Sequence, residues 1–91
     1  MEHNPFISFE DGLEITYSDL KKTSAGEEYI TIYFEEPNAD RSGFNSAQYD
    51  YPGDSFQNVK GYDKEDIDNL MKYIVKSAAT AFAFSKEDAY A

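Results

Sequence analysis

The side chains able to do chemistry in this chain are almost all carboxylates: eighteen Asp and Glu stand against eight Lys and Arg, one histidine and no cysteine. Without cysteine there is no disulfide, no thiolate metal ligand and no sulfur nucleophile. His3 is the single imidazole, so neither a triad nor a multi-histidine metal site can be assembled, and its place near the N-terminus reads as a solvated side chain. The acidic neighbours Glu10/Asp11, Glu27/Glu28 and Glu35/Glu36 have the composition of acid–base pairs. Such work needs an apolar setting or a close like charge, and all three pairs fall at strand ends or in loops. No catalytic residue is assigned, and the chain reads as a non-enzyme.

Metal and phosphate chemistry find as little. Asp63 to Asp68 resembles a calcium loop only in charge, because an EF-hand wants alternate ligands, a central Gly and a distal Glu, and Asp68 stands where the Gly belongs. Capping of a helix accounts for these acids better. Asp50 to Asp54 is a sparser cluster, which leaves an acidic ligand or metal pocket as the weakest of the readings. The glycines Gly12, Gly26, Gly43, Gly53 and Gly61 are solitary, so no dinucleotide or P-loop spacing occurs. No metal and no cofactor is expected.

Charge narrows the partners. A formal net charge of −10 on 91 residues disfavours direct nucleic-acid binding and anionic membrane surfaces, both of which require Lys and Arg. It draws basic protein surfaces at long range. The polar, acidic start Met1 to Pro5 is unlike a secretory leader, and no apolar run approaches the ~18 residues of a membrane span, so a cytoplasmic location is expected.

The elements that must position these residues follow from periodicity. One domain over 1–91 is expected, with 1–4 and 86–91 frayed, since a chain this short builds one core. Phe6 to Phe9 and Leu13 to Tyr17 read as strands joined at Asp11-Gly12, a hairpin signal. Lys21 to Glu27 reads as a loop. Tyr29 to Phe34 is the densest β-branched and aromatic run, suited to a central strand, with Glu35-Glu36-Pro37 as its stop. A turn covers 38–43, and Phe44 to Tyr51 forms a fourth strand of uncertain register. Pro52-Gly53 suits a type II turn, and Ser55 to Gly61 reads as an irregular connection. From Asp63 to about Ser85 the period is helical, with Ile67, Leu70, Met71, Ile74, Val75, Ala78, Ala81 and Phe82 on one stripe.

The predicted fold is therefore α+β and two-layered: an antiparallel sheet of three to four strands in β-β-β-β-α order, with one long C-terminal amphipathic helix on one face. The covered face takes Leu13, Ile15, Tyr17, Ile30, Ile32 and Phe34. The wet face then carries Glu14, Thr16, Tyr29, Thr31, Tyr33 and Glu35, tyrosines rimmed by carboxylates, and these six are the candidate partner-binding residues. The leading reading is a small acidic protein-binding module, in its sharper form an inhibitor that occupies the basic surface of a nucleic-acid-binding protein. The alternative is a self-associating structural protein using Tyr73, Phe82 and Phe84 at the aromatic end of the helix. Monomer and homodimer are both compatible with the sequence.

Overall fold

A computed structural model describes residues 3–38 and 43–90 of the chain. The first two strands, β1 (Asn4–Ser8) and β2 (Glu14–Tyr17), form the hairpin that Asp11-Gly12 predicts. Gly12 adopts a φ of 100° and donates to Phe9 O (3.0 Å), while Leu13 N donates to Asp11 Oδ1 (3.1 Å). A Cβ on Gly12 would stand 2.8 Å from Pro37 Cδ, so both the backbone conformation and the neighbouring ring exclude a side chain there.

The remaining strands are β3 (Lys21–Lys22), β4 (Glu28–Pro37), β5 (Phe44–Tyr51) and β6 (Phe56–Lys60), followed by α1 (Lys64–Tyr90). All pairings are antiparallel, in the order β1-β2-β4-β5-β6, with β3 pairing β4 beyond the end of β2. The fold is the expected two-layer α+β arrangement, with six strands rather than three or four. One extra strand arises because Lys21 and Lys22 rejoin β4 after an interruption at Ser18, Asp19 and Leu20. The other is β6, whose Phe56-Gln-Asn-Val-Lys sequence lacks alternation. Tertiary contact supplies what periodicity did not: the Phe56 ring packs at 5.0 Å from Tyr49 and 5.9 Å from Phe34.

The register of β5 on β4 is now fixed, with Ile30↔Tyr51, Ile32↔Tyr49 and Phe34↔Ala47. The Tyr51–Pro52 bond is cis, and Gly53 does not adopt the positive φ that the type II turn suggested by Pro52-Gly53 requires. Asn38 N donates to Gly43 O (3.1 Å). The expected turn between them lies mostly outside the described residues, as do 1, 2 and 91 of the ends expected to fray.

Helix α1 starts as its sequence dictates. Asp66 N donates to Asp63 Oδ1 (2.9 Å) and Asp63 N to Asp66 Oδ2 (3.2 Å), a reciprocal cap. Leu70, Ile74, Ala78, Ala81 and Ser85 are buried against the sheet, whereas Val75, expected on the stripe, is 79% exposed. Lys72 takes Asn69 Oδ1 (3.3 Å) as its partner where i,i+4 spacing points to Asp68. The helix continues past Ser85 to Tyr90, whose hydroxyl donates to Glu28 at the start of β4. The helix thus runs five residues beyond the end that the periodicity gives. No helix among the described residues is long and apolar enough to cross a membrane.

The core lies between the sheet and α1 and contains Leu13, Ile15, Tyr17, Ile30, Ile32, Phe34, Ala47 and Tyr49 with the helix residues above. The face assigned to the core by alternation is the face that is buried.

Candidate functional site

With α1 on one side, no helix or strand among the described residues covers the other side of the sheet. Strand register lays its side chains out in rows. Ser8, Glu14, Glu35, Ser46 and Lys60 form one row, and Pro5, Thr16, Tyr33, Gln48 and Gln57 the next. Thr31 pairs with Asp50, and Lys21 with Tyr29, toward the far end.

The far end is closed on itself. Lys21 Nζ donates to Thr31 Oγ1 (3.2 Å), Thr31 Oγ1 donates to Asp50 Oδ1 (2.7 Å), and the same Nζ stands 5.9 Å from the Tyr29 ring centroid. Thr31 is only 4% exposed and its N–H donates to Ser18 Oγ (2.9 Å). Thr31, expected among the contact residues, is buried, and its hydroxyl holds the ends of two neighbouring side chains. Ser18 is in turn tied to the helix, because Ser85 Oγ donates to its carbonyl (3.0 Å).

At the near end Glu14 and Glu35 are directly opposed in the β2–β4 ladder, and both are exposed. Opposed residues on one face have Cβ atoms about 4.5–5.5 Å apart, where like charges are unfavourable. Neither carboxylate has a hydrogen-bond or ion-pair partner among the described residues. The nearest cation in their row is Lys60, two strands from Glu35 and thus about 10 Å away.

Between the ends stands an arrangement that sequence reasoning missed. The His3 imidazole stacks on Tyr33 with centroids 3.8 Å apart and planes 23° off parallel, and its Nδ1 lies 3.3 Å from Thr16 Oγ1. His3 is exposed, as a solvated side chain is expected to be, and its ring at the same time lies on the sheet. Asn4 delivers it there: its side-chain amide donates to Tyr17 O and to Asp19 Oδ1, each at 3.0 Å, and the latter bond pulls the Asp19 carboxyl below its ordinary range. No periodic signal extends to residue 3, so only contact could reveal the stack. A shallow hollow of about 160 Å³ beside the stack is lined by His3, Tyr33, Glu35, Ser46 and Gln48. Another, about 290 Å³, lies by Tyr29, Glu27, Glu28 and Asp50. Both fall below the roughly 300–1,000 Å³ usual for small-molecule sites.

Of the aromatic residues proposed for self-association, the structure gathers no common patch. Tyr73 packs on Phe9 (5.3 Å) and Phe84 on Phe6 (6.2 Å), while Phe82 lies against Tyr51 (5.7 Å) beneath Lys86 Nζ (4.4 Å). Carboxylates also gather around Tyr62, where burial first, then Glu36, Asp66 and Asp11, push the phenol well above its ordinary range. Its buried hydroxyl has no hydrogen bond of acceptable geometry. No three His, Asp or Glu side chains among the described residues converge as a metal-ligand set.

Comparison with known proteins gives no match to the chain, whether to a family model, a curated protein or a solved structure.

Proposed function

We propose that the protein is a non-catalytic binding module, acting as an inhibitor, whose open acidic sheet face docks on a basic surface of a partner protein. The observation that carries this reading is the in-register Glu14–Glu35 couple, without a countercharge among the described residues. A native sheet tolerates here a contact that costs stability, and a partner's cations would relieve it on docking. A surface that holds nucleic acid has the required charge.

The sheet edges favour face-on docking over strand addition. On β1, Pro5 lacks an N–H and the register shifts between Pro5 and Ile7. On β6, Asn58 has a φ of 52° and its side-chain amide donates to Gln48 Oε1 (2.9 Å). Both devices blunt an edge against pairing with another chain.

The test is capture of partners at low and high salt, followed by titration of the identified partner into isotopically labelled protein. A basic partner whose affinity falls steeply with salt, and whose footprint centres on Glu14, Thr16, Tyr33 and Glu35, is the expected result, because exposed charges are screened beyond about 8–10 Å. A salt-independent complex, or a footprint on α1, overturns the reading.

A further inference from the structure

We infer that the hollow beside His3 receives an arginine side chain of the partner, its guanidinium stacking on Tyr33 in place of the imidazole and donating to Glu35 and Glu14. The site rests on the open-face reading above and gives that face a specific occupant.

Three features of the geometry favour arginine. The Tyr33 ring already holds a flat, nitrogen-bearing group in parallel stacking, 3.8 Å away and tilted by 23°. A guanidinium is the protein cation that stacks in the same manner, whereas an ammonium is a compact point charge. The acceptors suit it as well. Two opposed carboxylates offer four oxygens, and a guanidinium carries five N–H donors in a planar fork against three on lysine. Finally, the present occupant can leave cheaply. His3 precedes β1 and takes no part in the β1–β2 ladder, so moving its ring costs one stack and one 3.3 Å contact to Thr16 but no strand pairing. The same face displays the general pattern at its closed end, where the chain's own Lys21 stands over Tyr29 and reaches Thr31.

Titration of hexa-arginine and hexa-lysine peptides into the full chain, followed by NMR at low salt, tests the assignment. Hexa-arginine should bind about tenfold more tightly, the scale of a desolvated stacked cation, and should move the ring signals of His3 and Tyr33. Glu14→Gln/Glu35→Gln should abolish this preference. Tyr33→Leu should do the same while circular dichroism shows an intact fold. His3→Ala should keep or strengthen arginine binding by removing the imidazole from the Tyr33 ring. Equal affinities for the two peptides, with shifts on the open face but none specific to Tyr33, overturn the arginine site and leave open-face docking standing. Absence of any shift on that face with either peptide overturns both.

Discussion

At one end of the open face Lys21 donates to Thr31, Thr31 donates to Asp50, and the lysine covers the Tyr29 ring; at the other, Glu14 confronts Glu35 with no cation between them. Both ends are built from the same materials, tyrosine, threonine and carboxylate on neighbouring strands. They differ in whether the chain supplies the countercharge. Where it does, the polar groups close a circuit that serves the fold, and Ser18 and Ser85 extend that circuit to the helix. Where it does not, two exposed like charges stand directly opposed, an unfavourable placement. Polar residues on one sheet face are thus divided, by their hydrogen bonds and not by residue type, into those tied within the fold and those left exposed.

Substitutions at the two ends should have opposite signs. Thr31→Val keeps the shape of a buried side chain but strips the hydroxyl from Lys21 and Asp50, and should cost about 1–3 kcal/mol. Thermal denaturation would show it as a drop of about 4–8 °C per kcal/mol; no drop would mean the far end is not closed as described. Ser85→Ala removes the donor to Ser18 O and should cost about 0.5–1.5 kcal/mol in chemical denaturation.

At the near end, Glu35→Lys replaces repulsion by attraction to Glu14 and should stabilise the isolated protein by about 0.2–1 kcal/mol while abolishing partner binding. A variant that is stabilised yet still binds with full affinity would separate the charge couple from recognition. The smallest effect belongs to Glu35→Gln, a gain of a few tenths of a kcal/mol that should shrink as salt is raised. A loss of stability at low salt would show that Glu35 makes a favourable contact, and the contrast between the two ends would fail.

Much of this division was readable before any coordinates. Alternation in Leu13 to Tyr17 and in Ile30 to Phe34 names the buried side chains, because a strand has only two faces and one must be apolar. By the same parity Glu14, Thr16, Tyr33 and Glu35 go outward. Parity could not say that Thr31, on the same face, is covered: that needed Lys21 and Asp50 to arrive from other strands. Nor could it find β6, whose Phe56 packs on Tyr49.

By itself the amino-acid sequence determined the fold class, the helix start at Asp63, the hairpin at Asp11-Gly12, the sidedness of the sheet and the acidic character of its open face. Each of these is encoded in the identity and spacing of near neighbours along the chain. Tertiary structure alone decided that Glu14 and Glu35 meet, that His3 lies on Tyr33, and that Thr31 is withdrawn from the surface. Those relations join residues separated by 10 to 30 positions, and cross-strand register, not local periodicity, brings such distant side chains within a few ångströms of each other.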